Sequence, residues 1–257
     1  AGFCCEAHRA SANARGLIAP DHPLIERVFA GQGALATWSA HLMMAAHPHR
    51  IKVKEDFVSS WRKEGTPRVQ RIYKLRPAAD VYELYKAKSI YYGNNKNLYH
   101  GTPSHPSCLF GTSEGAGPCE YETCGVCNIA RVGFKLDLAG SGPNAGIMTN
   151  LRYGRGLYFS ATSGKSNDYA GSTPPKYRVA GKRQLEWRSI FVCDVVCGRP
   201  YETDHVRMTQ DQVDIISILC QSIDAKVSEG GLNYDETVVY DQEQAVPKYL
   251  IVYALDS

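Results

Sequence analysis

Four cysteines lie close together in the chain, with a spacing that is typical of a metal site. They are Cys108, Cys119, Cys124 and Cys127. Four thiolates are the usual tetrahedral ligand set of structural zinc, and the closing C-x2-C is a common ligand pair. The surrounding loop, residues 105–127, has little apolar content to fold around, so a metal would supply its core. We therefore expect a structural Zn²⁺ ion in this loop.

The identity of one ligand stays open, because His105 lies three residues before the first cysteine and could replace one of the four. A loop of free thiols, with or without a disulfide, is the alternative to zinc. A second zinc site around Cys4, Cys5 and His8 is an interpretation that we do not favour. The nine cysteines are an odd number and clustered, which favours a reduced compartment over a disulfide framework. We expect an intracellular protein, cytoplasmic or nuclear.

A second pattern, Gly31-Gln-Gly33-Ala-Leu-Ala36, matches the glycine fingerprint of dinucleotide-binding folds, and Asp56 follows at about the usual distance. That fingerprint needs a buried parallel strand before its glycines. The preceding residues, LIERVFA, carry charges where such a strand is apolar. The pattern therefore does not favour a nicotinamide-dependent dehydrogenase.

Three separated segments combine histidine, tyrosine, serine, lysine and glutamate in strand-like surroundings. They are Leu98–Thr102 (LYHGT), Gly154–Tyr169 (GRGLYFSATSGKSNDY) and Tyr234–Leu250 (YDETVVYDQEQAVPKYL). In order, internal spacing and strand character they resemble the catalytic domain of the poly(ADP-ribose) polymerase family, over roughly residues 69–257. Each segment alone is a weak signal, but three in family order are specific.

The resemblance implies an enzyme that cleaves the nicotinamide–ribose bond of NAD⁺ and transfers ADP-ribose to a protein or nucleic-acid acceptor. It assigns the family's His–Tyr–Glu trio to His100, Tyr158 and Glu236. His100 is implied to bind a ribose hydroxyl, while Tyr158 would stack on the nicotinamide ring. The implied cofactor-binding residues are Gly101, Thr102, Lys165, Ser166 and Tyr169.

These residue types suit that chemistry. Breaking the glycosidic bond builds positive charge on the ribose, as in glycoside hydrolysis. A carboxylate beside the ribose, here Glu236, stabilises that charge most when it develops, so it favours the transition state over bound NAD⁺. Aromatic faces suit a flat ring, and a glycine beside His100 allows main chain to approach the carboxamide.

Two other functions stay open on the same residues. Water could replace the acceptor, which would make the chain an NAD⁺ glycohydrolase, or the pocket could bind NAD⁺ or ADP-ribose without turnover. Glu236 permits both single transfers and chain elongation. The sequence does not identify the acceptor or the oligomeric state.

Short strands with few helices between them predict an α+β fold with a mostly antiparallel split sheet, which must position these residues. The resemblance implies that this is the ADP-ribosyltransferase fold. Short strands are expected over Val69–Leu75, Leu98–Thr102, Gly156–Ser160, Ser189–Val196, Thr237–Asp241 and Tyr249–Tyr253. Helices are expected over Pro20–Ala30, Leu35–Ala46, from Phe57, over Asp80–Tyr92, Gly164–Ala170 and Gln210–Gln221. We place a partly helical N-terminal extension at residues 1–67 and the catalytic domain at residues 68–257, with the boundary near Pro67.

Composition and charge exclude several other classes. The 257 residues are 44% hydrophobic and 21% charged, which is typical of a folded domain and not of a disordered chain. The net charge of +3 is too small to indicate a nucleic-acid-binding surface. No apolar run approaches the roughly 20 residues of a membrane helix, so we expect no membrane association. Residues 1–66 do not resemble the helical regulatory domain of the family's DNA-break-activated members, so activation by DNA breaks is not expected.

Overall fold

The computed structural model describes residues 38–111, 117–140, 151–171, 186–228 and 231–255. Its strands are β1 (Ser39–Leu42), β2 (Arg68–Arg76), β3 (Asn95–Gly101), β4 (Leu157–Phe159), β5 (Glu186–Val196), β6 (Pro200–Thr203), β7 (Ser222–Ala225), β8 (Glu236–Val239) and β9 (Ala245–Leu255). Its helices are α1 (Pro48–Ser59), α2 (Ala79–Tyr92), α3 (Gly125–Val132), α4 (Ser163–Asn167) and α5 (Gln210–Leu219). Short 3-10 turns lie at Leu136–Leu138 and Gln242–Gln244.

The strands form two sheets. The larger has the order β1-β2-β9-β5-β3, and all of its pairs are antiparallel. The smaller has the order β4-β8-β7-β6, in which only β6 and β7 pair in parallel. An antiparallel bridge from Tyr99 to Ser160 joins the sheets. The predicted α+β class, with a mostly antiparallel split sheet and few helices, is confirmed.

The core lies on both faces of the larger sheet, around its central strands β5 and β9. Successive residues of a strand point to opposite faces, and both strands contain runs of consecutive apolar residues. One face carries Phe191 and Leu250, while the other carries Ile190 and Ile251. All four side chains are fully buried. Because both faces need cover, helices and loops pack on each side of this sheet.

All six predicted strands correspond to observed ones, with ends that differ by at most four residues. Helix α2 lies where Asp80–Tyr92 was expected, and α5 matches Gln210–Gln221 except at its C-terminal end. The capping box of Thr209 and Gln212 fixes the start of α5. Strands β6 and β7 and helix α3 were not predicted, because each is short.

The prediction failed in two places before Pro67. The helix expected over Leu35–Ala46 is wrong in its described part, since residues 39–42 form β1, which pairs with β2. Pairing along a sheet edge overrides the local apolar spacing there. The helix expected to start at Phe57 instead ends near it, because Pro48 and the side chain of His47 begin α1 a full nine residues earlier. The Pro20–Ala30 helix and the Gly31–Ala36 fingerprint lie outside the described residues.

Residues before Pro67 contribute to the core. Phe57 is fully buried, and its ring lies 5.1 Å from that of Tyr253 on β9. Trp61 packs in the same cluster. The division into an extension and a catalytic domain stays a prediction. Within the described ranges, no helix combines the length and the apolar character that crossing a membrane requires.

We predict that Phe57→Ala lowers the free energy of unfolding by about 3–5 kcal/mol, because it opens a cavity in a closely packed aromatic cluster. Urea unfolding of the full chain measures the loss. The control is Ile218→Ala, which truncates a side chain that is 76% exposed and should change the free energy by less than about 0.5 kcal/mol. A Phe57→Ala loss as small as the control's would show that α1 is not part of the core.

Candidate functional site

The site lies where the two sheets meet. Strand β3 ends there with His100 and Gly101, and β4 carries Tyr158 at its centre. Glu236 begins β8, which pairs with β4. The Tyr99–Ser160 bridge, with N–O distances of 2.8 and 3.1 Å, fixes β3 beside the end of β4. The three residues assigned to the trio therefore come from three strands held in register with one another.

His100 is held as a neutral imidazole. Its Nδ1 lies 2.9 Å from the carbonyl oxygen of Tyr158, and a carbonyl only accepts, so Nδ1 carries the proton. The ring packs edge-on against Phe134 at 5.1 Å, and it lies tilted against Phe159 at 5.5 Å. Burial lowers the pKa of His100, and the hydrogen bond to Tyr158 opposes this only in part. Nε2 is then a hydrogen-bond acceptor at neutral pH.

Tyr158 is fixed through its hydroxyl. The hydroxyl donates to the carbonyl of Gly154 at 2.8 Å and accepts from the backbone N–H of Tyr153 at 2.9 Å. Burial raises the pKa of Tyr158; the Tyr153 hydrogen bond lowers it, and the nearby carboxylate of Glu236 raises it further. The phenol therefore stays neutral, and with both hydrogen-bonding roles satisfied within the protein it presents its ring as a surface.

Glu236 is a buried carboxylate with one paired oxygen. The residue is only 4% exposed, and its Oε1 lies 2.9 Å from Nζ of Lys165 on α4. Among the described residues, the buried Oε2 has no hydrogen-bond partner. Burial lowers the pKa of Lys165, but the hydrogen bond and the charge of Glu236 raise it overall, so Lys165 is an ammonium. An unpaired buried acceptor is unfavourable by about 1–3 kcal/mol, which a ligand hydroxyl could offset.

Helix α4 lies against the end of β3 without space for a side chain at Gly101. A Cβ atom there would lie 1.8 Å from the carbonyl oxygen of Ser166. This contact brings the Gly101 backbone and the buried Ser166 to the same wall of the site. Tyr169 follows α4 and is 37% exposed, with its hydroxyl 3.5 Å from Nζ of Lys165. An exposed aromatic face at the entrance is available to a ligand.

Seven of the eight residues predicted for the NAD⁺ site are joined by these contacts, namely His100, Gly101, Tyr158, Lys165, Ser166, Tyr169 and Glu236. Thr102 follows Gly101 in the chain, and a Cβ on Gly125 would lie 2.2 Å from its Oγ1. Its side chain therefore contacts the start of α3, on the side of the cysteine loop.

Sequence reasoning did not identify two residues that shape the site. Phe134 forms one side of the His100 environment. Asp235, next to Glu236, accepts hydrogen bonds from the turn that leads into α4. Neither carries a signal of its own in the sequence, because each acts through contacts with residues more than 30 positions away.

The four cysteines of the loop form a compact cluster. The Sγ atoms of Cys108, Cys119, Cys124 and Cys127 all lie within 4.8 Å of one another. All four are free thiols. Tetrahedral zinc with Zn–S bonds of about 2.3 Å would place its sulfurs roughly 3.8 Å apart. The observed cluster fits that requirement and could hold a metal ion.

His105 is not part of this cluster. Its ring stacks on Tyr121 at 3.7 Å, and its Nδ1 accepts from the backbone N–H of Ser107. The cluster is linked to the site through α3, which begins directly after Cys124. Phe134 follows this helix and packs on His100. The cysteine loop is therefore connected to His100 through α3 and Phe134.

The family model described as the poly(ADP-ribose) polymerase catalytic domain matches residues 125–255, just over half of the 257 residues. The matched range contains Tyr158, Lys165 and Glu236, together with α4, β4 and β8. It begins after β3, so His100 and Gly101 lie before it.

We predict that Gly101→Ala lowers the free energy of unfolding by about 3 kcal/mol, because the new methyl group would overlap the Ser166 backbone and push α4 away from β3. Thermal unfolding measures the loss. Gly117→Ala is the matched control, since a Cβ at Gly117 would meet nothing within 4 Å. If the two variants unfold at the same temperature, the close approach of α4 to β3 is not real.

Proposed function

This chain belongs to the poly(ADP-ribose) polymerase catalytic domain family, whose members use NAD⁺ as substrate, and from that membership we propose that it is an ADP-ribosyltransferase. It cleaves the bond between nicotinamide and ribose in NAD⁺ and transfers the ADP-ribose to a protein or nucleic-acid acceptor. The observation that carries the proposal is Glu236, a buried carboxylate whose Oε2 lacks a partner among the described residues.

The nicotinamide end of NAD⁺ is proposed to bind on the wall formed by β3 and α4. The backbone of Gly101 and the hydroxyl of Ser166 would hold the carboxamide, because the backbones of these two residues are in close contact. Tyr158 and Tyr169 would cover the two faces of the ring. Nε2 of the neutral His100 would accept from a ribose hydroxyl, a role supported by the proton placement on Nδ1.

Glu236 is proposed to stabilise the transition state. As the C–N bond breaks, nicotinamide leaves with the bonding electron pair and becomes neutral, while positive charge develops on the ribose. The Oε2 atom would accept a ribose hydroxyl hydrogen bond, which strengthens as that charge grows. The acceptor nucleophile then attacks the ribose carbon, and its proton passes to the Glu236 carboxylate before it reaches solvent.

Lys165 is proposed to orient this carboxylate. Its ammonium binds Oε1 at 2.9 Å, so the side chain of Glu236 cannot rotate without losing a buried ion pair. Oε2 is thereby left for the substrate. The ammonium of Lys165 also lies 5.4 Å from the ring centre of Tyr169, so the same cation helps to hold the Tyr169 ring in position.

The cysteine cluster is proposed to bind a structural zinc ion. The support is the set of four sulfurs within 4.8 Å of one another and their attachment to α3 and Phe134. When bound, zinc supplies only a rigid crosslink, because four protein ligands leave no open position. The cysteines would then hold α3 in place and, through Phe134, restrict the ring of His100. The intracellular location expected from the cysteine usage stays a prediction.

We predict that Glu236→Gln lowers the rate of nicotinamide release by at least about 100-fold, because the change removes the charge while keeping the shape. The dissociation constant for NAD⁺ should stay within about tenfold of wild type. Single-turnover assays and calorimetric binding measure the two quantities. The control is Glu202→Gln, at a side chain that is 66% exposed. Glu236 is not the catalytic carboxylate if its variant keeps more than about a tenth of the wild-type rate.

We predict about one zinc ion per chain, held by the four cysteines. Cys124→Ser should lower the metal content and the melting temperature together, because the loop loses its core. Activity should fall in proportion to the folded fraction. Cys220→Ser, at a half-buried thiol outside the cluster, is the control and should keep its metal. A chain that elemental analysis finds metal-free, yet fully folded and active, would contradict the zinc site.

A further inference from the structure

Asp235 connects the strand that carries Glu236 to the turn that begins α4. Its Oδ2 accepts from the backbone N–H of Ala161 at 2.7 Å. Its Oδ1 accepts from the hydroxyls of Thr162 at 3.0 Å and of Ser160 at 3.2 Å. One carboxylate therefore binds three consecutive residues, and hydrogen bonds to a charged acceptor are roughly twice as strong as neutral ones.

The bound turn is also the point where the two sheets meet. The backbone of Ser160 bridges to Tyr99, the residue before His100. The Ser160 hydroxyl accepts from the backbone N–H of Thr162 at 3.0 Å. Asp235, which precedes Glu236, and Tyr99, which precedes His100, thus both bind Ser160. Ser160 itself lies two positions after Tyr158. Asp235 completes this connection with side-chain hydrogen bonds.

The C-terminal end of α4 is held from the same side. Asp168 forms an ion pair with Lys63, whose ammonium lies 5.6 Å from the ring centre of Tyr234. The Tyr234 hydroxyl donates to the carbonyl of Arg62 at 3.4 Å. Tyr234 and Asp235 directly precede Glu236, so each end of α4 is anchored to the segment that leads into β8.

Helix α4 depends on such anchors. It has five residues, and a helix of this length is not stable alone. Strand β8 does not depend on Asp235 in the same way, because Glu236 pairs with Ala225 and Val238 pairs with Tyr158 in the sheet. Loss of the Asp235 carboxylate should therefore displace the Ser166 wall of α4. The long side chain of Lys165 should keep its ion pair with Glu236, whose backbone stays in place in β8.

We propose that Asp235 is a positioning residue for the nicotinamide end of the site, acting through Ala161 and Thr162 in the turn that leads into α4. The inference rests on the proposed function, since it assigns the α4 wall to nicotinamide. It predicts a separation of kinetic effects. Ground-state binding to the α4 wall weakens, while the carboxylate that stabilises the transition state stays on β8, so KM rises more than kcat falls.

The test compares Asp235→Ala with Asp241→Asn. Asp241 lies beyond the other end of β8 and also holds structure, since it accepts from Lys88 at 2.7 Å and from the backbone N–H of Glu243 at 2.9 Å. It therefore controls for lost stability. We measure melting temperature, kcat and KM for NAD⁺, and the dissociation constants of NAD⁺ and benzamide, at a temperature where every variant is folded. Benzamide reports the nicotinamide wall without turnover.

We expect Asp235→Ala to raise KM and the benzamide dissociation constant by the same factor, about tenfold, with kcat lowered less than about threefold. Asp241→Asn should lower the melting temperature and leave both constants unchanged. Thr162→Val should weaken benzamide binding in the wild-type chain and have little further effect in Asp235→Ala, because the two residues share one hydrogen bond.

Equal benzamide affinity in Asp235→Ala and the wild type overturns the inference, as does additivity between the Thr162 and Asp235 substitutions. The proposed function fails separately. A wild-type chain that binds NAD⁺ without releasing nicotinamide is not a transferase. In that case the benzamide dissociation constants of the wild type and of Asp235→Ala still test the role of Asp235. A wild-type chain that binds neither NAD⁺ nor benzamide overturns both.

Discussion

The buried ion pair between Glu236 and Lys165 is the interaction on which the rest of the site depends. A carboxylate that is 4% exposed needs a nearby cation, because burying an unpaired charge is strongly unfavourable. Lys165 can serve only if α4 lies close to the start of β8. The other contacts of this short helix hold it in that position. Within the part of the chain that the structure describes, Oε2 of Glu236 keeps no hydrogen-bond partner, and this is the atom proposed to meet the substrate.

Two glycines show how tightly α4 is confined. Gly101 lies against the Ser166 carbonyl on one side, and Gly164 lies against the Trp61 carbonyl on the other, where a Cβ would be 1.9 Å away. The hydroxyl of Ser163 also donates to the carbonyl of Phe57 at 2.7 Å. The end of α1 thus forms a third support for α4, beside β3 and the segment before β8. This is the physical reason that residues before Pro67 affect the site.

The sequence predicted the fold class and the chemistry-bearing residues better than the parts that hold them. Strand β2 intersperses apolar and charged residues and strand β5 contains an apolar run; both patterns follow from burial, so local reasoning finds them. The trio was assigned because His100, Tyr158 and Glu236 sit in segments whose order is distinctive. Strand β1 and helix α3 were missed, since pairing with β2 or packing beside the cysteine cluster decides their conformation.

Positioning residues escape sequence reasoning for a related reason. Asp235 is one acid among many along the chain, and only the fold shows that its oxygens reach Ser160, Ala161 and Thr162, at least 73 positions away. Phe134 is likewise an ordinary apolar residue until it packs on His100.

The most direct test of the account uses NAD⁺ labelled in its adenosine, incubated with the wild-type chain and with mixtures of protein or nucleic-acid acceptors. Released nicotinamide and macromolecule-bound label are counted together. The account predicts that the two amounts agree, and that both disappear in the Glu236→Gln variant. Nicotinamide release with all of the label recovered as free ADP-ribose would contradict transfer, and label incorporation that survives the Glu236 substitution would contradict the assigned carboxylate.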